Sequence, residues 1–443
     1  MSHPAARRCS GALAFAVTAA LAASALAAPA AGAARFPLSS CLWLGPAAGN
    51  SPSADTNYAF PDSGAIYWTA QIELPPGSTL LLHGRYVHGR YQSLNSYGTA
   101  AEPTDALNDV STRPDRGSRN PFAVGAPRLL RNRSYTARIV DLPAPASRSA
   151  RAANTLYAGV AGQARQRIIY RVYLPDRGRD LTGGVGLPSP ELRLADGTSL
   201  EGRAACSALR VARGRLPLTT LPRALYDSLR DQPGKPPTFP ARRVPVFRAF
   251  YNIAFSIACV FHDRCGGDPV RTGGQYSNID NNYVSAQVSR GFGAVLVLRG
   301  KLPHTPDTYP GPRRMPAGQM RYWSICQNES LYTTRGAGCV YDHQIPVDRR
   351  GYYTIVTSRS ADRPNNARTR CGVAFIPWPA RGDGAGHPGD GLLLVRNMLP
   401  AASFRWAIQR TRRPGDEQRV MGPYYPRGTY MSRAAFQRRG CRR

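Results

Sequence analysis

Lysine is nearly missing from this chain. Lys235 and Lys301 stand alone among 58 basic residues, leaving 56 arginines, and only 27 Asp and Glu oppose them for a formal charge of +31. The arginines are scattered, and Ala, Gly and Pro are abundant with them, as a GC-rich coding bias produces. No nucleic-acid reading motif accompanies the charge, so specific nucleic-acid binding is not expected. Weak adhesion to anionic envelope polymers needs no special fold and fades with salt. Beyond residue 34 no run of about 18 apolar residues occurs, so the mature chain carries no spanning helix. No Cys-x-x-Cys is present, which leaves zinc-ribbon and thioredoxin chemistry unsupported. Gly-x-Ser-x-Gly, His-Glu-x-x-His and a phosphate loop with its lysine are also missing. No motif calls for a cofactor.

What is present begins with residues 1–34, which read as a secretory signal. Arg7 and Arg8 precede an Ala- and Leu-rich run, and Ala-x-Ala sites follow at 25–27 and 31–33. Setting aside Cys9 leaves eight cysteines, an even number that suits disulfides in an exported chain. Only Cys41 and Cys206 lie in the first half, so pairing within domains joins them. Closing so long a loop stabilises by about 4–5 kcal/mol on the chain-entropy model. In the second half Cys326 and Cys339 suit a hairpin crosslink, and the spacing does not choose among the others.

The clearest pattern is a repeat. Residues 67–88 (YWTAQIELPPGSTLLLHGRYVH) align without a gap to residues 283–304 (YVSAQVSRGFGAVLVLRGKLPH). Further landmarks recur in order: Arg90-Tyr91-Gln92-Ser93 with Arg321-Tyr322-Trp323-Ser324, Asp109 with Asp342, and Arg171-Val172-Tyr173-Leu174-Pro175 with Arg396-Asn397-Met398-Leu399-Pro400. Ala70, Ile72 and Leu74 alternate with polar neighbours, and 294–298 is a short apolar run fit for a strand buried on both faces. Segments 135–140, 168–173, 352–357 and 392–395 read as further strands. The fold class expected is mostly β: two homologous, internally duplicated β-sandwich or jelly-roll-like domains at 36–213 and 247–409. A linker with a short helix spans 214–246, and 248–262 leans to a helix. Residues 410–443, with ten Arg against two acidic residues, read as a basic irregular tail.

These motifs resemble a group of exported bacterial proteins of uncharacterised function. They are also similar to the paired β-domains of unknown function in bacterial envelope proteins. Asp55-Thr56-Asn57-Tyr58, Arg90-Tyr91-Gln92-Ser93 and Arg171-Val172-Tyr173-Leu174-Pro175 carry the resemblance. It implies two sandwiches and transfers no reaction.

Candidate sites are four. His262, Asp263 and Asp268 beside Cys265 offer acid/base or metal chemistry, against a plain helix end. His83, His88 and Asp109 offer a metal site, although His83 becomes Arg299 in the second copy. Arg90 and Arg321 suit buried pairs with Asp109 and Asp342, while Trp68, Tyr91, Tyr322 and Trp323 with these arginines offer a surface for sugar rings. Asn278, Asp280, Asn281 and Asn282 have the oxygens for calcium, against an Asx turn. The leading expectation is a secreted or envelope-associated, non-catalytic binding protein for a glycan or other anionic polymer. The alternative is a secreted hydrolase using His262 and Asp263 between the domains.

Overall fold

The computed structural model describes residues 40–49, 51, 53, 55–233 and 239–441. The expected secretory signal at 1–34 and most of the Pro-rich linker stretch lie outside these. The first half contributes β1 (Leu44–Ala48), β2 (Ala65–Ile72), β3 (Thr79–Arg85), β4 (Gly89–Tyr97), β5 (Pro103–Asn108), β6 (Ser134–Val140), β7 (Thr155–Tyr157), β8 (Gln166–Pro175), β9 (Ser189–Arg193), β10 (Ser199–Glu201) and helix α1 (Gly202–Ala208). Helices α2 (Arg223–Arg230) and α3 (Ile253–His262) flank β11 (Arg248–Ala249). There follow β12 (Asn281–Ser289), β13 (Val295–Lys301), β14 (Met320–Asn328), β15 (Gly336–Tyr341), β16 (Tyr352–Ser358), β17 (Ala374–Pro377), β18 (Asp390–Pro400), α4 (Glu417–Met421), β19 (Arg427–Met431) and α5 (Arg433–Gln437).

The expected mostly-β class is what forms. Four sheets have the orders β1-β2-β8-β4-β5, β10-β9-β3-β6-β7, β11-β12-β18-β14-β15 and β17-β16-β13-β19. The first and third sheets share one plan, and so does their register. Arg171 lies opposite Tyr67 and Ser93, as Arg396 lies opposite Tyr283 and Ser324. In the first sandwich Ile66, Trp68, Ala70 and Ile72 face Leu80, Leu82, Ala137 and Ile139. In the second, Val284, Ala286 and Val288 face Leu296, Leu298 and Ile355. Alternation along each strand therefore feeds one face into each core. The turn glycines Gly77 and Gly293 both take positive φ, +71° and +154°.

The remaining faces of the first and third sheets pack on each other. Tyr91, Tyr173, Tyr322 and Met398 are buried there. The rings of Tyr173 and Tyr322 meet edge-on at 5.0 Å, as do those of Tyr91 and Tyr173 at 5.4 Å. The expected Arg–Asp struts form, but exchanged. Arg90 Nη1 donates to Asp342 Oδ1 at 2.9 Å, and Arg321 Nη1 donates to Asp109 Oδ1 at 3.2 Å. Each Asp also accepts a backbone N–H within its own half, from Gln92 or Trp323, both at 2.9 Å. Tyr322 donates to Asp62 at 2.7 Å, and Tyr91 donates to Asp280 at 2.6 Å. The contact is thus close to self-complementary, one patch meeting its equivalent.

Four disulfides form. Cys41–Cys206 and Cys326–Cys339 pair as the spacing implied, the latter between register partners of β14 and β15; Cys259–Cys265 and Cys371–Cys441 complete the set. Helix α3 forms where a helix was favoured, with the Asn252 side chain accepting from Phe255 N at 2.8 Å. The expectation of an irregular tail at 410–443 is corrected. Strand β19 pairs with β13, Tyr430 enters the second core, and Phe436 covers Val295 and Val297. That cover is why 295–298 is apolar on both faces.

Because Arg90 and Asp342 are both almost fully buried, Arg90→Ala leaves a buried carboxylate without its cation. A loss of about 3–5 kcal/mol in urea unfolding is expected. Arg321 is more exposed (10% against 1% for Arg90), so Arg321→Ala loses less. Replacing Arg90 and Asp342 together by Met and Leu recovers most of the loss.

Candidate functional site

Beside this interface a cavity of about 120 Å³ lies between the first and third sheets. Its lining draws equivalent residues from the two halves: Tyr67 and Arg171, Tyr283 and Arg396. Helix α3 closes one side through Ile253, Ser256 and Val260, three residues that share one helical face. Leu216, Leu392 and Leu394 add apolar wall, and Ser285 and Gln287 add hydrogen-bonding groups.

Both arginines are buried, at 2% and 4% exposure. Arg171 donates to Asn95 Oδ1 and to the Tyr276 carbonyl, each at 2.6 Å. These bonds use two of the five N–H donors of a guanidinium. Its plane also lies near the rings of Tyr67 and Tyr97, 5.7 and 5.5 Å from their centroids. No carboxylate stands within ion-pair distance of Arg171 among the described residues. Arg396 reaches the Phe60 carbonyl and the Cys326 sulfur, and its nearest carboxylate oxygen, Asp62 Oδ2, is 3.5 Å away. That same oxygen already accepts from Ser324 at 2.6 Å. The cavity is therefore an electropositive, low-dielectric space in which the cationic charge is only partly answered. Burial pushes the Tyr67 hydroxyl up to about 12, with Asp62 adding to the shift, and burial also raises Tyr173, Tyr276 and Tyr283. These phenols stay neutral and donate protons only in hydrogen bonds.

The sequence-based candidates fare differently. His262, Asp263 and Asp268 are exposed at the end of α3. Asp263 takes the left-handed conformation that ends the helix, and Cys265 is bound to Cys259. The arrangement is a helix stop rather than a cleft, and the cluster does not line the cavity. His83, His88 and Asp109 are not brought together. His83 bonds Glu191 at 2.7 Å, Arg133 lies 2.6 Å from His88 Nε2, and Asp109 is held by Arg321. Among the described residues the one close grouping of possible metal ligands is Asp62, Cys326 and Cys339, and its two sulfurs are joined to each other.

A sugar-stacking surface built on Trp68, Tyr91, Tyr322 and Trp323 is also corrected. Trp68 and Trp323 fill the two cores, while Tyr91 and Tyr322, with Arg90, fill the interface. Arg321 is spent on Asp109. Asn278 and Asp280 bond Tyr91, and Asp280 also accepts from Asn108 at 3.0 Å, so these oxygens serve the interface rather than calcium.

In the sequence, Arg171 and Arg396 stand out only as landmarks of the recurring motifs. The available signal was an arginine inside an otherwise apolar strand, where charge is rarely placed without a task. His387, which belongs to no motif, has a ring that spans Asp383 at 2.7 Å and Asp231 at 3.0 Å. Tyr226 donates to the same Asp383, so this cluster ties α2 to the loop before β18.

No protein-family model matches the chain, and no curated protein matches its sequence. Among solved structures, an uncharacterised protein from Burkholderia cenocepacia is similar at 14% identity and TM-score 0.45, covering 88% of this chain and 84% of that one. The VPA0106 protein from Vibrio parahaemolyticus is similar at 10% identity and TM-score 0.38, covering 85% and 91%. No described helix is long and apolar enough to cross a membrane.

Burial, with Arg133 and other guanidinium groups around it, holds His88 down to about 4. An unfolded histidine titrates near 6.5. Between those values the unfolded chain binds the extra proton. His88 therefore subtracts stability as pH falls from about 6.5 to about 4 and adds no pH dependence above 6.5. Imidazole NMR should show His88 still neutral at pH 5. The slope of unfolding stability across pH 4–6.5 should flatten in His88→Gln.

Proposed function

We propose that this is an exported, non-catalytic binding protein that holds a small organic anion in the cavity between its two sandwiches. The observation that carries the reading is Arg171, a buried cation that lines the cavity with no carboxylate partner among the described residues. An anionic group seated there would answer the charge by charge-assisted, fork-shaped hydrogen bonds. The leucines and α3 would cover an apolar body. The volume is near the about 150 Å³ of an apolar cavity that accepts benzene, so a single-ring or short-chain carboxylate is the matching class.

Binding is favoured over hydrolysis by the lining itself. Among the described residues it offers guanidinium, phenol, hydroxyl and amide groups, and no imidazole, thiol or carboxylate. General acid–base work near neutral pH needs a group that titrates there. The exported assignment rests on the basic, Ala-rich start of the chain with its Ala-x-Ala sites and on the four disulfides. We also read the two halves as copies of one ancestral unit, supported by the shared strand order and the equivalent placement of Arg171 and Arg396.

The test is thermal unfolding of the oxidised protein with benzoate, hexanoate or neutral benzyl alcohol. The carboxylates should raise Tm in a concentration-dependent way, and the alcohol should do so less. Arg171→Gln should weaken carboxylate binding about 10- to 100-fold, as expected for losing hydrogen bonds to a charged group. Ser256→Phe, which fills the cavity from α3 and leaves both arginines in place, should abolish it in a folded protein. A carboxylate response unchanged by Ser256→Phe, or none at all in the native protein, would overturn the assignment.

A further inference from the structure

The outer face of the fourth sheet carries a second, separate feature. A groove of about 600 Å³ runs between β13, β16 and β19 on one side and residues 371–373 and 436–440 on the other. Along β13 the residues alternate: Leu296 and Leu298 enter the core, while Val295, Val297 and Arg299 face outward. On β19, Arg427 is the direct register partner of Arg299. Two arginines side by side on one face repel, and such like-charge cross-strand pairs are normally destabilising. A third, Arg439, reaches the groove from the opposite wall, which Cys371–Cys441 and the bonds from Asn366 to the Phe436 and Gly440 carbonyls hold in place.

The charge in this groove is largely unanswered. Arg299 pairs with Asp348, at a site half open to water, and also donates to Thr354 Oγ1 at 3.0 Å. Arg427 and Arg439 have no carboxylate within ion-pair distance among the described residues, and both are exposed. With its amide turned to satisfy both groups, Gln418 gives Arg427 a neutral oxygen at 3.2 Å. Between the arginines the lining presents the hydroxyl-bearing residues Tyr352, Thr354 and Thr429. It therefore combines guanidinium forks with hydroxyl groups around a volume of about 600 Å³, larger than one small anion needs.

We propose that this groove binds a carboxylate-bearing polysaccharide, a chain of uronate-type sugars. Its carboxylates bridge Arg299, Arg427 and Arg439, and its ring hydroxyls meet the threonine and tyrosine hydroxyls. Charge complementarity selects the occupant: a carboxylate lying between two register-paired arginines offsets their mutual repulsion and accepts from the forks of Arg427 and Arg439, which no carboxylate engages among the described residues. The inference is independent of the interdomain cavity and stands or falls without it.

The experiment measures binding of the oxidised full chain to polygalacturonate across a series of salt concentrations, with a neutral glucan and polyphosphate as comparison polymers. Arg427→Gln with Arg439→Gln should weaken polygalacturonate binding at least tenfold and make it less salt-dependent. Arg412→Gln with Arg413→Gln removes the same charge from exposed positions elsewhere and should change it less than twofold. Thr429→Trp narrows the groove without altering charge and should also lose binding. These are exposed positions, and unchanged thermal unfolding checks that each variant is folded. Equal loss in the two arginine pairs would mean that net charge alone holds the polymer and would overturn the proposal. Undiminished binding by Thr429→Trp would overturn it as well, and so would tighter, equally groove-dependent binding of polyphosphate.

Discussion

The architecture depends on an exchange of buried charges. Each half carries an arginine at the start of a central strand and an aspartate just beyond the next one, and each arginine crosses to the other half's aspartate. Buried ion pairs are poor sources of net stability, because desolvation offsets most of their attraction. Their value is in specifying geometry. Neither Arg90 nor Asp342 tolerates burial alone, so the two sheets have one register in which all four charges are answered. The tyrosines around them add shape, and Asp62 and Asp280 fix two of those hydroxyls. With the interface so determined, Arg171 and Arg396 are left facing a space where the two sheets do not fill each other.

Much of the fold was legible because it rests on local periodicity. Strict alternation at 70–74 and the apolar run at 294–298 became β2 and β13. Elimination pairs Cys41 with Cys206, and hairpin spacing pairs Cys326 with Cys339. The repeat located the important arginines and aspartates. What it could not reveal is whether each arginine pairs within its own half or across, since each half carries both an arginine and an aspartate of the set. The partner choice is decided by three-dimensional packing, which leaves no periodic trace.

The candidate sites were less legible for a related reason. Aromatic and polar residues conspicuous in a motif are conspicuous either way, whether they build a surface or bury it. Tyr91 and Tyr322 proved to be interface, and Trp68 and Trp323 core. The tail reads as irregular in the sequence because its charge is dense and its anchors are sparse. Tyr430, Phe436 and Cys441 are few among many arginines, yet they suffice to lay an edge strand on β13 and a wall over it.

The exchanged pairs carry one more consequence. Each half holds both an arginine and an aspartate of the set, so a single half is a complete half-site for its own kind. Two separate copies of such a half, apposed about a two-fold axis, would reproduce the exchange as a bimolecular dimer contact. Joining the halves in one chain replaces that concentration-dependent encounter with an intramolecular one. It also frees the two sides to diverge. Only one side of the axis needs a helix over the cavity, and only one outer sheet needs a basic groove, which a strict homodimer would have had to build twice.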